Sequence, residues 1–344
     1  MMKIMQHYLS PSETPASFRL AGTLFSRMRT TGIISVLVVL VFTIFACANS
    51  RFTNTNNLIN ILNQSSYLTM VALGQGLVLI SGGFDLAVAG ILGLTSVVSV
   101  SLLVMLTASG FDLPFAIAIA IAGGLSVGLI LGFLNGVAVG YLKVPSFIVT
   151  LGVAGIAAGA GYQISGGAPV TGLPDGFVSA FGTPDLRSIS TSVYFAIIIA
   201  VLLHVMMTRT RIGRYIYAVG GNAIAARLSG INVGRYVILV FMTSGALASL
   251  SGILLSARVS TGDTNLGGNF VLQSITAGVL GGISLRGGEG SLVGAVLGAL
   301  FIAILSNGMN LENISSYYQM IILGVLLVLA VLAEQVRMMF SGSR

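Results

Sequence analysis

The chain has 344 residues, of which 55% are hydrophobic and only 7% charged, with a formal net charge of +7. A soluble domain carries about 25% charged residues because its surface must face water. A soluble enzyme, a disordered regulator and a nucleic-acid-binding protein are therefore excluded, and the lone Cys47 excludes an intrachain disulfide framework.

Residues 1–30 read as a cytoplasmic tail in which Pro11, Pro15 and scattered Ser and Thr argue against stable structure. The apolar run that follows is preceded by too long a polar lead for a signal peptide. A hydrocarbon core of ~30 Å takes about 20 residues of helix. On that scale residues 31–340 form one all-α transmembrane domain. Spans are expected near 31–50, 57–80, 87–107, 113–141, 147–163, 192–207, 236–257, 269–284, 290–308 and 317–335. Gly, Asn or Gln interrupt the second, fourth, eighth and ninth, and a count of eight follows if two of these are re-entrant.

The basic residues test the count. With the N-terminus inside, Lys3, Arg19, Arg27, Arg29, Lys143, Arg209, Arg211, Arg214, Arg227, Arg235, Arg286, Arg337 and Arg344 fall on the cytoplasmic side. Only Arg51, Arg187 and Arg258 fall outside, which matches the positive-inside rule for ten spans with both ends cytoplasmic.

Glycines at a period of four, Gly124 to Gly140 in the fourth span and Gly290, Gly294 and Gly298 in the ninth, predict close helix packing. Between the second and third spans, Ser81-Gly82-Gly83-Phe84-Asp85-Leu86 breaks the chain, and Asp85 either caps the next helix or serves a gate on the solute path. Gly281-Gly282-Ile283-Ser284-Leu285 echoes that break and hints at internal duplication. The polar residues Gln75, Asn135, Thr150, Gln273, Asn307 and Gln319 lie at membrane depth and must find partners within the bundle. Most read as interhelical glue and a few as contacts for a hydroxyl-rich solute.

The loop 208–235 holds five arginines. Within it Asn222 is a natural N-cap and Gly230 a natural C′ residue, bracketing about two turns of helix that need outside contacts to persist. The segment is either a lipid-facing basic loop or, the favoured reading, a docking helix for a cytoplasmic subunit.

The absences narrow the chemistry. Lys143 lies in Tyr-Leu-Lys-Val, which is no phosphate-binding loop. His7 and His204 have no ligand-spaced neighbours, so no metal or other cofactor is expected. Asp85, with Glu289 near an interface, is nearly the whole intramembrane charge. A secondary carrier with Asp85 holding the coupling ion is the alternative to an externally powered path, and an intramembrane enzyme has no acid–base pair to work with.

Four stretches make the chain resemble the permease subunit of bacterial ATP-binding-cassette sugar importers of the ribose, xylose and arabinose type. They are Gly82-Gly83-Phe84-Asp85-Leu86-Ala87-Val88; Asn135-Gly136 leading to Lys143 through Gly152; Gly220 to Gly230; and Val279 through Gly288 with Asn307-Gly308-Met309-Asn310-Leu311. The resemblance covers about residues 55–335. It implies a ten-helix permease in the bacterial inner membrane, paired with a second permease subunit as homo- or heterodimer. It further implies a cytoplasmic ATPase docking on Gly220, Gly221, Asn222, Ala225, Ala226, Arg227 and Gly230, and a periplasmic sugar-binding protein. Phe84, Ala87 and Ala89 replace Ile, Ser and Gly of the family pattern, losing a hydroxyl and adding bulk beside Asp85. Asp85, Asn135 and Asn307 are the candidate path or gate residues, and the sugar itself is left open.

Overall fold

A computed structural model describes residues 16–182 and 189–341, with side chains for 32–182 and 189–335. Lys3, His7, Asp185, Arg187 and Arg344 lie outside the described residues, as do the side chains of Arg19, Arg27, Arg29 and Arg337. The fold is all-α. In chain order the helices are α1 (Ala16–Ala48), α2 (Thr55–Ile80), α3 (Val88–Ala108), α4 (Leu113–Gly140), α5 (Ser146–Ser165), α6 (Asp175–Phe181) and α7 (Thr191–Arg209). There follow α8 (Arg211–Gly221), α9 (Ala223–Leu228), α10 (Val233–Val259), α11 (Phe270–Leu280), α12 (Leu292–Leu311) and α13 (Ser316–Ser341).

Seven helices, α3, α4, α5, α7, α10, α12 and α13, are long and apolar enough to cross a membrane. The other three expected spans fall on the apolar stretch Gly32–Ala48 of α1, on α2 and on α11. Helix α2 spans 26 residues, and its polar side chains are tolerated because it is buried almost throughout from Ser65 to Ile80. The tail expectation needs one correction. Helix α1 begins at Ala16, directly after Pro15 in the sequence, where Ala, Leu, Met and Arg outweigh the scattered Ser and Thr in helix propensity.

Helix α11 has 11 residues, roughly 16 Å of helix and half a membrane thickness. The chain leading into it explains why. Residues 260–268 run beside α3 without becoming α-helix, held by reciprocal Val170–Gly262 backbone bonds of 2.8 and 2.9 Å and by the Asp263 amide donating to Ser96 Oγ at 2.8 Å. A Cβ at Gly93 would overlap the Thr264 carbonyl, and one at Gly267 the Ala89 carbonyl. The segment thus descends beside α3, and α11 starts inside the bundle rather than at its rim.

The densest seam joins α4 and α10. Added Cβ atoms at Gly128, Gly132 and Gly245 would overlap carbonyls across it, and one at Gly136 would lie 2.6 Å from Ile238 Cα. Thr95 Oγ1 and Ser249 Oγ share a hydrogen bond of 2.8 Å beside this seam. Lipid gives helices no hydrophobic reason to associate, so close backbone approach and buried polar bonds hold the bundle. Gly294 packs against Gly281 and Gly298 against Ala277 by the same logic. The α4 stripe and the pair Gly294 and Gly298 are therefore packing seams, whereas Gly290, expected in the second stripe, lies in the turn before α12 at φ 130°.

The two breaks share one hydrogen-bond ring, offset by 200 residues. Ser81, Gly82 and Gly83 amides donate to Leu77, Leu79 and Val78 carbonyls; Gly281, Gly282 and Ile283 amides donate to Ala277, Val279 and Gly278. Each ring needs a left-handed residue, supplied by Gly82 (φ 84°) and Gly282 (φ 83°). The echo seen between the two sequences is thus an echo in backbone geometry.

Candidate coupling face and solute path

The turns sort onto two faces. Lys143, Arg209, Arg211, Arg214, Arg227, Arg235 and Arg286 lie on the face that carries α8 and α9, while Arg51 and Arg258 lie on the opposite one. On the basic face Thr210 caps α8 by accepting from the Gly213 amide. Helix α8 buries Gly213, Ile216 and Val219 against the bundle. Tyr217 Oη donates to the Gly290 carbonyl at 2.8 Å, and burial pushes the Tyr217 phenol up, which keeps that donor protonated.

Asn222 Oδ1 accepts from the Ala225 amide at 2.9 Å, and Gly230 takes φ 82°, so both expected ends of α9 stand where the sequence put them. Ala226 turns inward. Ile224 is 76% exposed and Leu228 85% exposed, with exposed Arg227 between them. The apolar pair at i and i+4 was missed in the sequence, although Ile-Ala-Ala-Arg-Leu carries it plainly.

Behind α9 three backbone turns meet. A Cβ at Gly220 would overlap the Ile80 carbonyl and come within 2.7 Å of the Gly288 nitrogen, and Gly288 already donates to that Ile80 carbonyl at 2.8 Å. A Cβ at Gly287 would lie 2.7 Å from Gly82 Cα, and one at Gly288 2.5 Å from Gly221 Cα. The C-terminal end of α8 thus touches both helix breaks through backbone alone. Glu334 Oε1 braces the second break by accepting from Ser284 Oγ at 2.7 Å and from the Leu285 amide at 3.2 Å.

Asp85 is fully buried. Its Oδ1 accepts from the Ala87 amide at 3.0 Å, and its Oδ2 from Ser244 Oγ of α10 at 2.8 Å. The capping alternative is corrected here. The N-cap of α3 is Ala87, without a side-chain cap, because the chain stays irregular through Leu86 and only the Ala87 amide is within Asp85's reach. Thr150 Oγ1 donates to Ser146 O at 2.8 Å, while the Phe84 amide donates to Ser146 Oγ at 3.0 Å, so α5 is tied to the same break.

Asn307 forms a reciprocal amide pair with Asn57, 2.9 Å each way, clasping α12 to α2. Such a pair in a membrane bundle is worth about 0.6–1.7 kcal/mol. Asn57→Leu and Asn307→Leu will each lower stability, and the double variant will lose less than their sum by about that coupling, read from a double-mutant cycle of unfolding in detergent. Asn135 and Gln75 are fully buried, and neither amide has a hydrogen-bond partner.

On the face opposite α9 lies a cavity of about 430 Å³ between α2, α10, the 265–269 turn, α11 and α12. None of Asp85, Asn135 and Asn307 lines it. Gln64, Tyr67, Arg258, Asn269, Gln273 and Ser306 do. Among these, only Gln273 is a polar residue that the sequence places at membrane depth.

A family model described as the permease component of a branched-chain amino acid transport system matches residues 57–331. The ribose import permease protein RbsC of Escherichia coli (strain K12) is 39% identical over 310 residues, 89% of this chain and 94% of that one. The chain belongs to the ABC sugar-import permeases within this family. Two further relatives of this permease are the D-allose transport system permease protein AlsC of the same strain, 34% identical over 304 residues, and the galactose/methyl galactoside import permease protein MglC of Haemophilus influenzae (strain ATCC 51907 / DSM 11121 / KW20 / Rd), 32% identical over 324. They are matched over 88% and 91% of this chain and 91% and 96% of their own. No solved structure matches the chain. Like these relatives, the permease is a multi-pass membrane protein of transport.

Proposed function

We propose that this permease is the membrane-spanning subunit of an ATP-driven importer for a monosaccharide, set in a bacterial inner membrane with ten spans and both ends cytoplasmic. Its basic face then faces the cytoplasm. A separate ATPase docks on Gly220–Gly230, a second permease subunit completes the path, and a periplasmic sugar-binding protein delivers solute to the opposite face. The observation that carries this reading is α9: a two-turn helix outside the apolar bundle that presents Ile224 and Leu228 almost fully exposed around Arg227. Exposed apolar side chains on a charged face mark a protein contact. Movement of a docked ATPase passes through Gly220 and Gly221 into both helix breaks.

The candidate path residues take different parts in this reading. Asp85 holds the first break against α10, Asn307 clasps α12 to α2, and Asn135 is left to meet solute in another conformation. A coupling-ion role for Asp85 is disfavoured, because both of its oxygens are already engaged. Among substrates, D-ribose, D-allose and D-galactose, which the relatives' names point to, are the first candidates. Reconstituted into vesicles with a cognate ATPase and binding protein, the permease will accumulate one of these sugars only when ATP is supplied. Accumulation by the permease alone, driven by an ion gradient, overturns the reading in favour of a secondary carrier.

A further inference from the structure

We propose that the cavity on the face opposite α9 is a sugar-binding waypoint within a single permease subunit; the proposal rests on the importer reading above. At about 430 Å³ it lies within the range of small-molecule sites, roughly 300–1,000 Å³. Its walls come from both halves of the chain: Gln64 and Tyr67 from α2, Arg258 from α10, Asn269 and Gln273 at the start of α11, and Ser306 from α12.

Three observations point to a ligand. First, Tyr67 is 2% exposed and its Oη has no hydrogen-bond partner, although a buried phenol normally finds one. Second, α11 begins at this cavity, and its exposed N-cap residue Asn269 makes no side-chain cap bond. The first amides of the half-helix are thus left with their positive dipole end toward the space, which suits a hydroxyl or carbonyl oxygen. Third, the polar part of the lining is amides, hydroxyls and the Arg258 guanidinium, with no carboxylate, beside apolar side chains such as Leu255 and Phe270.

That chemistry selects the class of ligand. An amino acid needs a carboxylate for its ammonium group, and none lines this space. The single cation of the lining, Arg258, is held in place: its Nη2 donates to Asn60 Oδ1 at 2.8 Å and its guanidinium stands 5.7 Å from the Tyr67 ring centre, and its other N–H groups suit hydroxyl oxygens. The lining as a whole wants donors and acceptors together in a ligand that carries no ammonium group, with the Tyr67 and Phe270 rings to cover an apolar face. A neutral monosaccharide offers that combination.

The test is chemical protection on the full chain. In a Cys47→Ala background, Ser306→Cys places one thiol in the cavity, and its modification by N-ethylmaleimide is followed with D-ribose, D-allose, D-galactose or L-leucine present. Gln64→Cys is the second site should Ser306→Cys not yield folded protein. One of the sugars will slow labelling about tenfold or more, L-leucine will not, and Tyr67→Phe will weaken the protection about tenfold, the loss of one hydrogen bond. A thiol that does not react, protection by none of the sugars, or protection by L-leucine instead overturns the proposal. Because the assay uses the permease alone, it reads the cavity even where vesicle uptake fails, and vesicle uptake reads the importer even where protection fails.

Discussion

Gly220→Val will leave ATP hydrolysis running in the assembled transporter while sugar accumulation nearly stops. The side chain enters a junction where Gly220 already touches the Ile80 carbonyl and the Gly288 amide, so any Cβ must push the two helix breaks apart or push α8 away from both. Overpacking of this kind costs about 1–3 kcal/mol, which a membrane bundle of this size survives. Its consequence for transport is larger, because the junction links the surface that an ATPase would move to the segments that must yield. Couplings between sites are typically worth about 1–3 kcal/mol, so ATP consumed per sugar carried will rise about 5- to 150-fold. Hydrolysis and uptake measured on the same vesicles give that ratio directly. A purely structural role would lower the two together in proportion to the protein folded, and Gly220→Ala, the smallest intrusion, will show the same imbalance in milder form.

The second large effect belongs to α9. Ile224→Asp with Leu228→Asp will abolish co-purification of the ATPase and with it all ATP-driven uptake, without altering the permease's own elution profile. The two side chains are nearly fully exposed in the free permease, so their loss removes nothing from its core. Buried in a partner's groove, each would count among the few contacts that carry an interface, at about 2 kcal/mol or more. Two such losses weaken docking by roughly a thousandfold. Arg227→Ala alone will give a smaller loss that grows as salt is lowered, the pattern of a rim charge that steers encounter. Undiminished co-purification of the double variant would move the docking surface elsewhere on the basic face.

What could be read from the sequence was local. The ends of α9 were announced by Asn222 and Gly230, and the two breaks by Gly82 and Gly282, because a cap or a left-handed turn is a property of one or two residues. The glycine stripe of α4 declared its packing role by its period of four. Long-range pairings were not legible. Asp85 looked like a cap because its partner Ser244 lies 159 positions away. The apolar run 269–284 looked like a full span, since nothing in it says that residues 260–268 descend beside α3 and leave only 11 residues for helix. The start of α1 at Ala16 was missed by weighing prolines and serines above the helix formers among them. Tyr67, Arg258 and Ser306 carry no common signal at all, being joined only when α2, α10 and α12 close around one space.

The α4–α10 seam has a consequence for how tolerance to change is distributed along this chain. Gly128, Gly132, Gly136 and Gly245 stand backbone against backbone, so the pair must travel as one strut, and a single extra methyl there should be refused. Gly152, Gly155 and Gly159 of α5 have open space where a Cβ would go and should accept alanine freely. Glycines at similar helical spacings therefore divide into a keel that holds the molecule's shape and a flank left open to lipid or a neighbour, and a saturation library would draw the line between them.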